Sequence, residues 1–440
     1  MPASPSLLIV PARFKTGKLY TQIATTSGGV VLGSSGDFNV TRGTTATRFN
    51  LAGLIESVAS GVPRLDYYTS GGTAGCPALL VEASGTNGIL NSNNTATSWT
   101  LGANLTSGYT DVIGVSGNNL TVAVSGSNIG ASAGRLQRSS NNVALASGST
   151  YTISFLMRQT GTHTIGGYYA VITGGAAGDL GGGFDISGSF SSGSLFNSAG
   201  TTSRIRRVER FGTDVYRCSE TFTMTASGTL TAISFGPTVS TTATTNPAVG
   251  LGIAFAAPQI ELGAIPTSFI PTTTGSVTRN ADVITLSGAV SGCIGQTEGT
   301  VYFEVEVTDE AKDRWICTLD SAATSYIQIA IAANRTILVS SLNAGSTVIS
   351  SLISSALSVG YHKVAFAYNT AASGCIMYID GAQNPVAVRT VTGSGLPALN
   401  NFSLGNFRTS VSDNLKARIR AAALYTTRLT NAELATLTTP

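Results

Sequence analysis

Stretches in which apolar residues recur at every second position are found along this chain. Tyr151, Ile153, Phe155 and Met157 fall on one side of such a stretch, and residues 301–307 alternate in the same way. A period of two residues places successive side chains on opposite faces of a strand. Both stretches are therefore predicted to be β-strands with one buried face.

Further strands are predicted between turn signals. The predicted hairpins join residues 326–331 to 336–342 and residues 363–368 to 375–379, and other strands are predicted at 215–225, 232–235 and 251–262. A tight turn is expected at Asp380 and Gly381, which are residue types that favour hairpin turns. Thr430 and Glu433 form a capping-box pattern that predicts a short helix over residues 432–437.

These elements predict an all-β protein whose C-terminal part is two β-sandwich (jelly-roll) modules. The predicted regions are an N-terminal segment at 1–36, a small β-rich module at 37–92, and sandwiches at 93–275 and 276–440. Residues 173–200 are rich in Gly and Ser and are expected to form a long exposed loop. Residues 266–271 are bounded by prolines and resemble a linker.

The composition supports this fold class and argues against some functions, nucleic-acid binding among them. Charged residues make up 11% of the chain, against roughly 25% in an ordinary soluble protein, while 42% of residues are hydrophobic and 51 are glycine. So few charges exclude a charge-rich helical bundle. The net charge is +3, so we expect no nucleic-acid partner, because such binding depends on many phosphate contacts.

The sequence predicts neither membrane insertion nor secretion. No apolar run approaches the ~18 residues that a spanning helix needs, and the apolar run of residues 7–10 is too short for a secretory signal. The five cysteines are scattered and never occur as a CxxC pair: Cys76, Cys218, Cys293, Cys317 and Cys375. We therefore expect free thiols in a protein made in a reducing cytoplasm, and no metal site built from cysteines.

Three groups of motifs carry a resemblance to modular virion proteins of tailed bacteriophages. The first group runs through residues 8–20, 36–48, 53–56, 62–67, 76–82 and 86–87, in the order R-x-(S/T)-x-A-T, G-L-I, V-P-R-x-D-Y and L-L-x-E-x-x-x-T-N. The second covers residues 208–218, 259–263 and 266–272 and resembles a carbohydrate-binding jelly roll. The third covers residues 360–365, 377–381 and 423–434 and resembles a concanavalin-A/laminin-G-type sandwich.

The resemblance implies a structural component of a virion, in a head or tail fibre, spike or appendage, made in the host bacterial cytoplasm. It implies a homotrimer that contacts other capsid or tail proteins near its N-terminus and displays lectin-like modules to host-surface or mucus glycans. The candidate anchoring residues are Leu7, Leu8, Ile9 and Val10. The alternative for this run is a strand of its own domain.

Glycan binding requires exposed aromatic rings with polar partners beside them. The candidates are Trp99, Tyr109, Tyr168, Tyr169, Trp315 and Tyr326. The alternative for each is a buried core side chain, because aromatic residues in strands are usually buried. A purely structural decoration protein that binds no sugar therefore stays open.

We expect no enzymatic activity and no catalytic residue. Glu304 and Glu306 share one face of a strand, as the acids of a glycan-degrading tailspike would, but a solvated strand face is the expectation. His163 and His362 are too few for a catalytic or metal-binding histidine cluster. We expect no cofactor, and the alternative left open is Ca²⁺ held by Asp309, Asp313 and Asp320.

Overall fold

The computed structural model describes most of the chain, with gaps. The described residues are 4–11, 14–20, 22–24, 30–32, 37–67, 75–93, 99–101, 105–109, 120–124, 136–159, 164–174, 178–187, 194–196, 200–210, 215–238, 252–287, 292–369, 375–384, 396–408 and 413–440. They are nearly all β-structure, which confirms the predicted fold class.

The strands fall into three groups along the chain. The first comprises β1 (Leu7–Ile9), β2 (Phe14–Lys15), β3 (Lys18–Leu19), β4 (Gln22–Ala24), β5 (Val30–Leu32), β6 (Phe38–Thr41), β7 (Ala46–Phe49), β8 (Ile55–Val58), β9 (Leu65–Asp66), β10 (Ala78–Val81) and β11 (Gly85–Asn87). The second comprises β12 (Thr100–Leu101), β13 (Leu105–Tyr109), β14 (Leu120–Val124), β15 (Leu136–Leu145), β16 (Thr150–Gln159), β17 (Ile165–Thr173), β18 (Leu180–Asp185), β19 (Ser194–Phe196), β20 (Thr201–Arg210), β21 (Val215–Met224), β22 (Gly228–Pro237) and β23 (Gly252–Leu262). The third comprises β24 (Val277–Arg279), β25 (Val283–Ser287), β26 (Glu298–Val307), β27 (Arg314–Ala322), β28 (Ser325–Ile331), β29 (Ile337–Asn343), β30 (Ser346–Ile353), β31 (Gly360–Asn369), β32 (Ile376–Ile379), β33 (Ala382–Gln383), β34 (Asn401–Leu404) and β35 (Ala417–Tyr425), followed by the helix α1 (Asn431–Thr438).

Strands from both ends of the chain build one sandwich, which we call the terminal sandwich. One sheet runs β33-β32-β31-β26-β35, and the far edge of β35 pairs with both β1 and β10. In this sheet Leu7 lies opposite Leu424 and Leu79 lies opposite Ile419. The facing sheet runs β2-β3-β6-β25-β34-β27-β28-β29-β30. Buried side chains from both sheets form one continuous core.

The second group of strands forms an inserted sandwich between these two halves. Its sheets run β12-β15-β22-β17-β18-β19 and β13-β14-β23-β16-β21-β20. Phe155 lies at the centre of its core, with ring centroids 4.8 Å from Phe235 and 5.5 Å from Phe184. The chain leaves the terminal sandwich through β11 and returns through β24, and these two strands pair antiparallel.

A group of buried charged side chains, which we call the junction cluster, lies beside this crossing point. Its members are Arg42, Arg64, Glu82, Arg279 and Asp282, and all are at most 5% exposed. Arg64 Nη1 lies 2.7 Å from Glu82 Oε2, Arg64 also pairs with Asp282, and Arg42 Nη1 lies 2.8 Å from Asp282 Oδ1. The cluster thus ties residues of the 42–82 segment to the strand that returns from the inserted sandwich.

Electrostatic balance keeps the junction carboxylates charged. Burial alone raises the pKa of Glu82, but the guanidinium groups of Arg64 and Arg279 outweigh it and hold the pKa below its ordinary value. Burial opposes ionisation of Asp282 in the same way, and Arg64 leads the charges that lower its pKa. Removing one partner from such a buried network leaves an uncompensated charge, which is strongly destabilising.

The predicted alternating strands, the two hairpins, the short helix and the tight turn are confirmed. The alternating stretches lie in β16 and β26, and their apolar residues enter the two cores. The two predicted hairpins are β28 with β29 and β31 with β32. The predicted helix is α1, with the Thr430–Glu433 capping box formed. Asp380 and Gly381 both have positive φ, of 50° and 84°, as the predicted tight turn requires.

The strand pairing divides the chain differently from the four predicted regions. Residues 1–36 and 37–92 do not form separate modules, because their strands complete both sheets of the terminal sandwich. Among their strands, β11 pairs with β24 and β7 pairs with β8 outside those sheets. Ile55 of the β7–β8 hairpin joins a small core with Leu156 and Ala254 of the inserted sandwich. The N-terminal residues therefore connect the two sandwiches.

The prediction of a long exposed loop at residues 173–200 is wrong in part. It contains β18, which is buried and pairs with β17. A Cβ added at Gly182 would lie 2.9 Å from Tyr168 Cε1, so the glycine allows the two strands to pack closely. The 266–271 connection is also packed, with Phe269 and Ile270 buried.

Candidate functional site

Three half-buried aromatic side chains meet on the terminal sandwich, and we call them the aromatic patch. They are Trp315 of β27, Tyr326 of β28 and Phe407, which follows β34. The ring centroid of Phe407 lies 5.6 Å from that of Trp315 and 5.2 Å from that of Tyr326. The contact with Tyr326 is edge-to-face, a favourable aromatic geometry.

The strand period explains why Tyr326 faces outwards, because on β28 the core takes Ile327 and Ile329. Trp315 departs from the period of β27, whose core residues include Cys317 and Leu319. The pairing of β27 with β28 shifts register between Trp315 and Cys317, so Trp315 lies opposite Ala330, on the face of Tyr326. Phe407 is placed by the turn at Gly405, whose φ of 70° is a conformation that favours glycine. The Gly405 amide donates to the carbonyl oxygen of Ile316 at 2.7 Å, which fixes the turn against β27.

Polar groups border the patch. Asp320 lies opposite Tyr326 in the sheet and accepts a hydrogen bond from Asn401 Nδ2 at 3.1 Å. Arg408 Nη1 lies 2.9 Å from Asp320 Oδ1. Burial raises the pKa of Asp320, and the contacts with Asn401 and Arg408 oppose that rise. Gln328, two residues from Tyr326, donates to Ser340 Oγ at 2.6 Å.

This arrangement suits a polar ligand that also has an apolar face. The rings offer apolar faces set at 44° and 88° to one another, and the half-buried amide of Gln328 and guanidinium of Arg408 lie around them as polar groups. Asp320 is 2% exposed and holds Arg408 in place. A pyranose ring has axial C–H groups on one side and hydroxyl groups around its edge. The patch can therefore stack against the ring and hydrogen-bond its rim.

The other predicted glycan residues do not join the patch. Trp99 is 5% exposed and packs 5.7 Å from Phe235, and Tyr168 is fully buried, so both belong to the inserted core rather than to a binding surface. Tyr169 is half-buried, and its hydroxyl donates to Asp179. The side chain of Tyr109 lies outside the described residues.

The candidate anchoring run is part of the terminal sandwich. Leu7 and Ile9 are fully buried in its core, and β1 lies between β35 and β4. Leu8 is half-buried, while Val10 is 54% exposed. The alternative of a strand in its own domain is the one that the structure shows, so Leu7 and Ile9 are not free to contact another protein.

Glu304 and Glu306 do not form the expected solvated face. Each pairs across the sheet with an arginine of β35: Glu304 Oε1 lies 3.2 Å from Arg420 Nη1, and Glu306 Oε2 lies 3.0 Å from Arg418 Nη1. Glu306 also lies in a cavity below the inserted sandwich. Their charges are thus compensated within the sheet.

The three aspartates proposed for Ca²⁺ have separate partners. Asp309 pairs with Arg207 at 2.7 Å, Asp313 accepts from the Ala333 amide at 2.8 Å, and Asp320 belongs to the border of the patch. Within the described ranges, no three His, Cys, Asp or Glu side chains are grouped as a metal ion would require.

Of the two histidines, His362 has a structural role and His163 lies outside the described residues. His362 is 8% exposed, with Nδ1 2.6 Å from Asp380 Oδ2, so it holds the turn that starts at Asp380. No helix in the described part of the chain has the length and apolar character to cross a membrane.

No protein-family model matches the sequence, and no curated protein matches it. Among solved structures, a leech intramolecular trans-sialidase is 16% identical over 33% of this chain and 23% of its own, with a TM-score of 0.26. The NanB sialidase of Streptococcus pneumoniae is 16% identical over 36% of this chain and 27% of its own, with a TM-score of 0.30. The CBM40 of Ruminococcus gnavus IT-sialidase is 13% identical over 34% of this chain and 85% of its own, with a TM-score of 0.28. Similarity at this level carries no inference about function.

Proposed function

We propose that the protein is a non-enzymatic structural component of a tailed-phage virion and that its aromatic patch binds host-surface or environmental glycans. The observation that carries glycan binding is the meeting of Trp315, Tyr326 and Phe407 beside a polar border. The resemblance of the N-terminal motifs to fibre, spike and appendage proteins supports the virion role.

The low charge of the chain is consistent with display on a particle. With 11% charged residues, its contacts depend little on ionic strength, because salt screens exposed charges far more than apolar contacts. Exposed apolar side chains such as Val10 and Leu262, 54% and 67% exposed, suit burial between subunits or against another virion protein.

We further propose a homotrimer as the assembled form. Light scattering on the purified chain should give three times the 44.8 kDa of one subunit. A monomer across the accessible concentration range would contradict the trimer and leave the glycan proposal to its own test.

A glycan array tests the binding role, with the native chain, Trp315→Ala and Tyr169→Ala compared. Tyr169→Ala is the matched control, because it removes a half-buried aromatic ring from the inserted sandwich. We expect the native chain and Tyr169→Ala to bind the same glycans and Trp315→Ala to lose them. Absence of any hit with the native chain would favour the decoration-protein alternative, and loss in Tyr169→Ala alone would move the site to the inserted sandwich.

A further inference from the structure

A cavity of about 360 Å³ lies where the two sandwiches and the β7–β8 hairpin meet, and we call it the interdomain cavity. The terminal sandwich contributes Glu306, Tyr361 and Arg418, the inserted sandwich contributes Glu209 and Arg217, and the hairpin contributes Phe49. Its volume is at the lower end of the range typical of small-molecule sites. It opens on the sheet opposite the aromatic patch, so the two sites are separate.

The charges that line the cavity balance. Five cationic and five anionic side chains line it. Several are paired already: Arg418 Nε lies 2.6 Å from Asp66, and Arg418 Nη1 lies 3.0 Å from Glu306. Arg207 bonds both carboxylate oxygens of Asp309, at 2.9 and 2.7 Å, and so bridges the two sandwiches beside the cavity. A charge-balanced lining gives no net attraction to a charged ligand.

Two polar groups of the lining can bond a ligand. Within the described residues, the buried hydroxyl of Tyr361 has no hydrogen-bond partner. The half-buried side chain of Glu209 also lines the cavity, and Arg217 and Arg418 are near enough to act on its charge. A buried hydroxyl without a partner is costly. A ligand that bonds the Tyr361 hydroxyl would recover that cost.

We propose that the interdomain cavity binds a neutral polyhydroxylated ligand the size of one sugar residue. Hydroxyl groups donate to the Glu209 carboxylate and accept from Tyr361 and from Arg217, whose Nη2 otherwise donates to the Thr267 carbonyl. Phe49 and Phe269 supply apolar surface for the C–H face of the ring. Because the ligand contacts both sandwiches, its binding also fixes their relative position.

Saturation-transfer NMR on the full chain tests this, with D-glucose, D-galactose and D-mannose as neutral probes and glucuronate and glucosamine as charged ones. We expect transfer to at least one neutral sugar and about tenfold weaker binding in Glu209→Gln and in Tyr361→Phe, since each loses one hydrogen-bonding group. Trp315→Ala, which alters the opposite sheet, should bind the same sugar unchanged. That control separates this proposal from glycan binding at the aromatic patch.

Three results would overturn the proposal. The first is no transfer to any neutral sugar, and the second is transfer only to glucuronate or only to glucosamine, which would contradict the charge balance. The third is unchanged affinity in both Glu209→Gln and Tyr361→Phe, with a cooperative thermal unfolding transition showing that both variants are folded. Both substitutions nearly conserve shape, so the test does not depend on a disruptive variant.

Discussion

Replacing Arg64 by Met should strongly destabilise the junction between the two sandwiches. Arg64 is 1% exposed and bonds Glu82 and Asp282 at once, together with Ser268 Oγ at 2.7 Å. The variant leaves both carboxylates buried with fewer partners. Such a loss typically costs about 3–5 kcal/mol.

The remaining contacts place the expected cost at the lower end of that range. Glu82 retains the Ser268 amide and hydroxyl, both at 2.7 Å, and Arg279 at 3.4 Å. Asp282 retains Arg42 at 2.8 Å. We therefore expect a loss of about 3 kcal/mol, which is roughly a hundredfold change in the unfolding equilibrium.

The loss should depend on pH in a defined direction. In the native chain the pKa values of Glu82 and Asp282 are depressed, so they stabilise the fold above the unfolded pKa of about 4. That contribution is lost as the pH falls through the folded pKa values. Without Arg64 the depression is smaller, so the difference between native chain and variant should shrink below about pH 4.

Urea unfolding monitored by circular dichroism at pH 7 and pH 3.5 (about half a unit below the unfolded pKa) measures both effects. Arg48→Met is the matched control, because Arg48 and its partner Glu56 are 17% and 36% exposed and such a pair is worth about 0–1 kcal/mol. A loss in Arg64→Met as small as that of the control, or one that grows towards acid pH, would refute the reasoning.

Three further predictions concern the N-terminus, the cavity and the thiols. Leu7→Ala should lower the free energy of unfolding in urea by about 2–5 kcal/mol, and Val10→Ala should change it by less than about 0.5 kcal/mol, because of the two only Leu7 is buried in the core. Equal effects would show that β1 is not part of the sandwich. Burial raises the pKa of Glu209, so its charge destabilises the fold as the pH rises above about 4. The melting temperature of Glu209→Gln should therefore exceed that of the native chain at pH 7 but not at pH 4. A higher melting temperature at pH 4 but not at pH 7 would contradict this. Cys76 is the exposed cysteine and the other four are buried, so a thiol reagent should modify one group in the native chain and five in denaturant, and rapid modification of several native thiols would contradict the burial.

The sequence predicts the strands well because their signal is local. A period of two over seven residues, at 151–157 and 301–307, suffices to place β16 and β26. The insertion of one sandwich into the other has no local signal, because it depends on pairs such as Leu7 with Leu424. The glycine-rich composition around β18 also conceals a buried strand, since a strand of glycines has little side-chain pattern to detect.

The candidate site is predicted only in part, because some of its residues come together only through long-range folding. Tyr326 lies in a predicted strand and Trp315 is predicted only as a candidate aromatic residue. Phe407 and Arg408 are turn residues that reach the patch only through the fold. Tyr168 is misassigned, although its position in register with Ala170 and Ile172 indicates a core-facing residue. The partners of Arg64 could not be predicted, because Asp282 is more than two hundred positions away.

Intrinsic fluorescence offers the most direct test of glycan binding at the aromatic patch, because the chain has two tryptophans. Trp315 is half-buried in the patch and Trp99 is 5% exposed in the inserted core. Titration with a glycan that binds on the array should change the emission of the native chain and of Trp99→Phe by the same amount, and should leave Trp315→Phe unchanged. An emission change that persists in Trp315→Phe and disappears in Trp99→Phe would place the ligand on the other sandwich and contradict the proposed site.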